Sequence, residues 1–434
     1  MCPRNGQPIR PGRQPTHARS THCPPPGSWS TMAPGKPRSI HGPSHARRRR
    51  RATLTAACLT ALGAMAATLT VQSSAHGEEP APAPLACGDG SYHAEAVKSG
   101  STWTARRGGS VVYTGDDMLS AMSAAVGSLT PGRTSKERVV VRGSGTMSAN
   151  ARLSLPSHTA LDVCGTIDVT GSGSGDRAPV YARGVTDVEV QHLNVTGAPL
   201  YGIFMRNVTD VTLGQIDMRL SAGLGIRIDN HGDTSVPARN IDIGDVYVSG
   251  TSTHAVETYG VDDLTVGTVT ARDVGGSGLL LNDTTNATIG TVDAVDAGTG
   301  TGYAAFRMAN RNGRIGDSYG TNIRVGQVIA RGGGRGVFCV SESGGAVIDR
   351  VDIADTGNNA ILLENCYNVT IAGQSGSVAG PGDIRIAARS EFANSRDITL
   401  QNLTVTNSAI NESPCADNLT VRNVQLVNSR QNTC

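Results

Sequence analysis

Aromatic residues are scarce in this sequence: they make up 3% of its 434 residues, with two tryptophans and four phenylalanines. After residue 80 no apolar run is long enough to cross a membrane as a helix. No two cysteines have the Cys-x-x-Cys spacing that is typical of zinc sites. These absences argue against a membrane-spanning helix in the later part of the chain and against a structural zinc site.

Charge is distributed unevenly along the chain. Residues 1–75 carry 11 Lys or Arg and no Asp or Glu, whereas the rest carries 27 basic and 36 acidic residues, a balance of −9. Proteins that bind nucleic acids usually show a basic balance. We therefore expect no nucleic-acid partner.

The basic N-terminal region is typical of a secretory leader. Arg47–Arg51 form a positive segment, residues 52–71 are mostly apolar or small, and Ser73-Ser74-Ala75 offers a cleavage site. We expect residues 1–75 to be leader and signal peptide, with the true start at Met1 or Met32, and residues 76–110 to be a linker and N-terminal segment. The mature chain is expected to be extracellular, monomeric and free of the membrane.

The remainder is rich in Gly, Val, Ile, Thr, Asn and Asp, and it repeats. The segments 185–207 and 208–230 both begin Val-Thr-Asp-Val, and related units follow up to residue 434. Each unit is roughly 22–28 residues long and contains three short alternating runs separated by turn residues, the pattern of a solenoid. We predict an all-β fold, a parallel β-helix with three strands per coil and about 10–12 coils, forming a single domain over residues 111–434.

One segment before the repeats has helical periodicity. Met118, Met122 and Val126 recur at helical spacing, and Pro131-Gly132 follows as a stop. Because a solenoid needs covered ends, we predict a capping helix at about residues 115–129.

Six cysteines follow the leader, an even number that suggests disulfides in an exported protein. Sequence alone leaves their pairing open. Because a solenoid repeat contacts only its neighbours, we favour sequential pairs. These are Cys87–Cys164, Cys339–Cys366 and Cys415–Cys434.

The capping segment GDDMLSAMSAAVGSL, the first turn LSLPSHTALDVCGTIDVTG and the repeated V-x-D-V-x-[VL]-x-x-[LI] units resemble the pectin-lyase-like superfamily over about residues 110–434. The resemblance implies a right-handed parallel β-helix and a polysaccharide substrate. That superfamily includes pectate lyases, polygalacturonases, other depolymerases and some non-enzymes. Of the polygalacturonase motifs only Asp262-Asp263 is present, at a turn, so the resemblance names no single activity.

The repeats can be aligned on their third strand, where side chains alternate between core and solvent. Apolar positions such as Ile226 and Ile228 are expected to point inward. One outward row is Phe204, Arg227, Glu257, Leu280, Arg307, Phe338, Leu362 and Arg385, and the other is Arg206, Asp229, Tyr259, Asn282, Ala309, Val340, Glu364 and Ala387. Ionisable residues concentrate at the centre, between the lengthened segments after Asn230 and Asn310.

We therefore predict a site on this central part of the third strand. The candidate catalytic residues are Asp229, Glu257, Tyr259 and His254. The candidate substrate-binding residues are Arg227, His231, Asn282, Arg307, Asn310 and Arg311. No cofactor is expected, and a single calcium ion on one carboxylate remains open. The alternative interpretation is that the charges are solvated, with Arg227 and Glu257 forming a cross-strand ion pair.

Two reactions fit these residues on an acidic, uronate-containing polysaccharide. Asp229 and Glu257 are expected about 8 Å apart, near the spacing of inverting glycosidases. In β-elimination, Tyr259, His254 or an arginine would instead act as the base, while arginines neutralise the uronate carboxylate. A non-catalytic carbohydrate-binding or cell-surface protein is the third hypothesis.

Overall fold

The computed structural model describes residues 86–434, so the expected leader and the first part of the expected linker and N-terminal segment, residues 76–85, lie outside the described residues. The described chain forms 26 strands, all in one continuous sheet. This sheet is wound into the right-handed parallel β-helix predicted from the repeats, with about 13 turns, slightly more than expected.

An antiparallel meander precedes the coils. It consists of β1 (Ala94–Ser99), β2 (Thr102–Arg107) and β3 (Ser110–Gly115). β1 also pairs in parallel with β4 (Glu137–Arg142), the first strand of the solenoid. Residues 94–110 are therefore part of the folded unit, and the domain boundary expected at residue 111 falls inside β3.

The predicted capping helix is present as α1 (Met118–Gly127). Asp117 caps its N-terminus, since the Asp117 side chain accepts a hydrogen bond from the Ser120 backbone N–H at 2.7 Å. Its apolar stripe, which includes Met118 and Met122, is buried against β1–β3 and the first coil. The helix closes the end of the core, as the sequence pattern indicates.

Two sides of the solenoid are formed by long strands that stack in parallel from coil to coil. After β4 and β5 (Gly145–Ser148) in the first coil, these are β7 (Thr159–Thr170), β9 (Thr186–Gly197), β11 (Thr209–Leu220), β13 (Ala238–Ser249), β15 (Val261–Arg272), β17 (Thr285–Val295), β19 (Ile323–Arg331), β20 (Arg335–Ala354), β21 (Ile361–Ala379), β23 (Arg396–Thr406) and β25 (Asp417–Val427).

The third side is formed by short strands, and we call its outer surface the third-strand face. These strands are β6 (Leu153–Ser154), β8 (Val180–Arg183), β10 (Tyr201–Arg206), β12 (Leu224–Asp229), β14 (Val256–Tyr259), β16 (Leu279–Asn282), β18 (Ala304–Ala309), β22 (Ile384–Ala387), β24 (Ala409–Ser413) and β26 (Arg430–Asn432). Between β18 and β22 the first residues of β20 and β21 occupy this side.

The long strands bend at a column of stacked glycines. A Cβ at Gly214 would lie 2.4 Å from the carbonyl oxygen of Gln191 in the preceding coil, and one at Gly290 would lie 2.5 Å from that of Gly267. Such contacts leave no room for a side chain. The glycines therefore let successive backbones approach closely at the bend.

The core is a single apolar column inside the coils. The inward positions expected on the third strand are buried in every coil from Ile203 to Met308.

All three expected disulfides are formed, linking Cys87 to Cys164, Cys339 to Cys366 and Cys415 to Cys434. Three disulfides are typical of an extracellular protein. In the described part of the chain, no helix is long and apolar enough to span a membrane.

Candidate functional site on the third-strand face

Backbone pairing between the short strands establishes the two outward rows. Every member of the first row, from Phe204 to Arg385, pairs with the next in the expected order. The second row is aligned in the same way from Arg206 to Ala309, and again from Val340 to Ala387. The sequence alignment of the repeats therefore predicted the face correctly.

Asp229 lies at the centre of a buried arginine pair. Its carboxylate accepts hydrogen bonds from Arg206 Nη2 at 2.8 Å and from Arg227 Nε at 2.7 Å, and its side chain has no exposed surface. Burial alone would raise the pKa of Asp229, but the two guanidinium groups outweigh it and hold this pKa below its ordinary value. Asp229 is therefore an ionised, enclosed carboxylate that positions the two arginines.

Glu257 has a different environment, although it also contacts Arg227. Its Oε2 accepts a hydrogen bond from Arg227 Nη1 at 2.9 Å, and its Oε1 accepts one from Asn282 Nδ2 at 3.1 Å. Burial raises the pKa of Glu257 above its ordinary value; Arg227 opposes this shift and the nearby Asp229 adds to it. The side chain of Glu257 keeps 11% of its surface exposed, so a substrate can reach it. Its raised pKa shifts the pH at which it gains or loses a proton upwards from the ordinary value.

His254 lies two residues before β14, the strand that carries Glu257. Its imidazole is held in one tautomer. Its Nδ1 accepts a hydrogen bond from the Ser277 backbone N–H at 2.7 Å, so the neutral ring carries its proton on Nε2. Burial lowers the pKa of His254 to about 4, and Arg307 and Arg227 add to the shift. At neutral pH this imidazole is a hydrogen-bond donor, which differs from the base expected from the sequence.

Arg307 is a half-buried cation that forms no ion pair with a carboxylate of the described residues. Its guanidinium carbon lies 4.7 Å from the ring centre of Tyr303 and 5.0 Å from that of Phe338. Among the described residues no carboxylate forms an ion pair with it, and its Nε is buried without a hydrogen-bond partner. Burial lowers the pKa of Arg307, yet an arginine side chain stays protonated.

The remaining candidates form a rim at the end of the strands. The His231 and Tyr259 rings meet edge to face with centres 4.3 Å apart. Asn310 Nδ2 donates a hydrogen bond to Asn282 Oδ1 at 2.8 Å, and Arg311 pairs with Glu342 at 3.1 Å. A depression of about 310 Å³ is lined by Tyr259, Asp283, Asn310, Arg311, Ser341, Glu342 and Phe392. Both lengthened segments therefore border the site, as expected.

Hydrogen bonds join Asp229, Arg227, Glu257, Asn282 and Asn310 into one network. His254, Arg307 and Arg311 have other partners or none within it. The structure also adds residues that the sequence analysis did not select. Arg206 was placed in an outward row, but its bond to Asp229 could not be read from the repeats. Tyr303 and Phe338 contact Arg307 from a turn and from the next coil. The repeat alignment placed Phe338 in the first outward row next to Arg307, whereas nothing in that alignment pointed to Tyr303.

One group of metal-type ligands lies elsewhere on the solenoid. Atoms of Cys87, Asp162 and His192 lie within 4.8 Å of one another. The Cys87 sulfur is bonded to Cys164, which leaves a carboxylate and an imidazole that already bind each other at 2.8 Å. The described residues of this group therefore do not form a metal site.

No protein-family model and no curated protein matches the chain. Among solved structures, it is similar to the A-module of the mannuronan C-5 epimerase AlgE4 from Azotobacter vinelandii, with 13% identity over 73% of this chain and 94% of that one and a TM-score of 0.47. The AlgE6 A-module of the same organism gives 13% identity over the same shares of the two chains and a TM-score of 0.29.

A second kind of structure is also similar. Tailspike protein 2 of the Escherichia coli O157:H7 bacteriophage CAB120 shares 14% identity over 70% of this chain and 40% of that one, with a TM-score of 0.27. Identities and TM-scores this low assign neither a family nor an activity to the chain.

Proposed function

We propose that this protein is an extracellular carbohydrate-active enzyme that cleaves an acidic, uronate-containing polysaccharide on the third-strand face. One juxtaposition carries the proposal. Glu257, a carboxyl group with a raised pKa, and Arg307, a half-buried cation with no ion-pair partner among the described residues, lie in the same outward row. They are two coils apart, which corresponds to roughly 9.6 Å between backbones.

Arg307 supports the acidic nature of the substrate. A guanidinium group binds a carboxylate through two parallel hydrogen bonds, and it gains most where water is excluded. The rings of Tyr303 and Phe338 exclude water from Arg307 and fix its plane. A uronate carboxylate would fill this position and satisfy the buried Nε.

Glu257 supports the acid–base step. A carboxyl group whose pKa is raised towards the working pH is an effective proton acceptor or donor. Arg227 and Asn282 fix its two oxygens, and Asp229 fixes Arg227 in turn. In this scheme Asp229 is a positioning residue and Glu257 is the group that meets the substrate.

β-Elimination is the reaction that this arrangement favours. Glu257 would remove the proton at C5 of the uronate, the electron pair would form the C4–C5 double bond, and the C4–O bond would break. The leaving oxygen would take a proton from the Tyr259 hydroxyl, which lies two positions along the same strand. Arg307 would stabilise the charge that develops on the uronate carboxylate, and His254 Nε2–H would donate a hydrogen bond to the sugar.

Inverting hydrolysis is the second candidate, and the raised pKa of Glu257 also suits its general acid. That reaction needs a second carboxylate that activates water. Asp229 was expected to fill this role, but its side chain is fully enclosed by Arg206 and Arg227. Hydrolysis would therefore require a water held by another group.

The test is a screen of acidic and neutral polysaccharides with two readouts. Ultraviolet absorbance of unsaturated uronate products is expected on an acidic polymer and would identify elimination. Reducing ends without that absorbance would identify hydrolysis. If the protein binds acidic polymers but releases no product of either kind, the proposed cleavage activity is wrong. That result would support the non-catalytic carbohydrate-binding alternative.

A further inference from the structure

A second groove lies on the long strands, away from the third-strand face. It has a volume of about 480 Å³ and is lined by Cys87, Cys164, His192, Asn194, Gln215, Ile216, Asp217, Asp245, Val246, Tyr247, Thr268 and Thr270. None of these residues belongs to the group around Glu257. The groove is therefore a separate feature of the molecule.

The pairing of successive long strands aligns the polar residues that line this groove in two parallel rows. One row is His192, Gln215, Asp245 and Thr268, and the other is Asn194, Asp217, Tyr247 and Thr270. Each glycine of the column that includes Gly214 directly precedes a member of the first row and adds no side chain. The result is an open strip of hydrogen-bonding groups on a rigid backbone.

His192 is the one nearly buried group in this strip, with 8% exposure. Its Nδ1 lies 2.8 Å from Asp162 Oδ1, and Asp162 is fully buried and also accepts hydrogen bonds from Arg138 and the Gly88 backbone N–H. An ionised carboxylate only accepts hydrogen bonds, so the hydrogen between His192 Nδ1 and Asp162 Oδ1 must be carried by Nδ1. When the ring is neutral, the other nitrogen, Nε2, presents a lone pair, and it has no hydrogen-bond partner among the described residues.

This tautomer is the opposite of the one found at His254. The His254 ring offers an N–H at Nε2, whereas the His192 ring offers an acceptor there. An acceptor held at the bottom of a polar groove suits a ligand that brings hydroxyl or amino hydrogens.

Charge narrows the class of ligand further. Asp217 and Asp245 are carboxylates in the groove, while its lining residues within the described chain include no lysine or arginine. Arg219 neutralises Asp217 from an exposed position, but Asp245 has no cationic partner in the described part of the chain. A polyanion would be repelled here, unlike at Arg307.

We propose that this groove is a second saccharide site, specific for chains without acidic groups, in which His192 Nε2 accepts a hydrogen bond from a sugar hydroxyl or amine. Asn194, Gln215 and the threonines supply donors and acceptors for the other hydroxyls. Tyr247 is partly exposed, and the guanidinium carbon of Arg219 lies 5.1 Å from its ring centre, so a sugar would contact the ring only where Arg219 leaves it open. A peptide could form hydrogen bonds with its backbone groups, but it would leave most polar side chains of the two rows without a hydrogen-bond partner.

The experiment is calorimetric titration of the whole mature protein with short cello-, xylo- and chitosan oligosaccharides, and with an oligouronate and a neutral peptide as comparisons. A neutral or amino sugar is expected to bind. Asp245→Arg should weaken this binding at least about tenfold, and because Asp245 is exposed this substitution does not disturb the core. His192→Gln should weaken it by a similar factor. Gln327→Ala, in the same row beyond the groove, is the matched control.

Several outcomes would overturn the proposal: no binding of any non-acidic sugar, binding of the oligouronate or the peptide that Asp245→Arg and His192→Gln weaken, or binding of the non-acidic sugar that both variants leave unchanged. Thermal unfolding of each variant identifies one that fails to fold, and Asp245→Arg then decides alone. Glu257→Gln should leave this binding unchanged, so failure of the groove and failure of the proposed cleavage can be told apart.

Discussion

Arg227 and Glu257 lie opposite each other on β12 and β14 and form an ion pair of 2.9 Å across adjacent coils. The cross-strand pair considered in the sequence analysis is therefore real. It does not neutralise the site, because Arg227 also binds the fully buried Asp229 at 2.7 Å. One guanidinium is shared between two carboxylates, and the more exposed one, Glu257, keeps a raised pKa.

Glu257→Gln should lower turnover of the acidic polysaccharide by about 10²- to 10⁴-fold, because the amide cannot transfer the proton. Steady-state rates on the polymer found by the screen measure this. Glu364→Gln is the control, since Glu364 lies in the second outward row and pairs with Arg389 at 2.7 Å. Equal rates for Glu257→Gln and wild type would remove Glu257 from the mechanism.

Arg307→Lys should raise the KM for the acidic polymer by about tenfold or more. The ammonium keeps the charge but loses the planar fork that binds a carboxylate through two hydrogen bonds. Arg385→Gln, in the same row three coils further on, should change the KM little. An unchanged KM in Arg307→Lys would show that the substrate carboxylate binds elsewhere.

Asp229→Asn should destabilise the protein by about 3–5 kcal/mol, because it leaves Arg206 and Arg227 partly buried without their shared anion. Denaturant unfolding measures the free energy. Asp217→Asn is the control: its side chain is 37% exposed and pairs only with the exposed Arg219, so about 0–1 kcal/mol is expected. A small loss in Asp229→Asn would contradict the positioning role given to Asp229.

Stability should depend on pH through His254. Its pKa is lowered from 6.5 to about 4 in the folded protein, so the unfolded chain binds more protons between these values and stability rises with pH across that window. The contribution is fully present above the unfolded pKa and is lost as pH falls towards about 4. His254→Gln should flatten this part of the profile of unfolding free energy against pH.

The control for this profile is His231→Gln, which removes an exposed imidazole from the same face. It should leave the slope between these pH values as in wild type. A profile that is identical in wild type and His254→Gln would show that another group dominates acid unfolding.

The repeats predicted the fold and the outward rows because both depend on backbone register alone, and the rule that a coil contacts only its neighbours predicted the three disulfides. Alternation assigns a side chain to core or solvent, and stacking then aligns Arg227 with Glu257 and Leu280. The same reasoning paired Cys339 with Cys366, since their strands are neighbours. These features needed no knowledge of side-chain conformation.

The environment of each outward residue could not be predicted in this way. Asp229 was correctly placed on the outer face, but it is enclosed because Arg206 and Arg227 fold over it. The His192–Asp162 pair was missed because an irregularity in register between β7 and β9 brings these residues together. Side-chain packing and bulges follow from three-dimensional contacts that a repeat alignment does not contain.

Each coil contributes one position to each outward row, so the separation of Glu257 and Arg307 can change only in steps of one coil. Removing the coil of Leu280 would make them direct neighbours, and inserting a coil would move them apart by roughly 4.8 Å. In the proposed mechanism these two residues act on one uronate, so the number of coils sets the distance between the base and the cation that binds the sugar carboxylate. The coil between them also carries Asn282, which binds Glu257 Oε1, so gaining or losing one repeat at this place would change both the spacing of the two groups and the environment of the carboxyl.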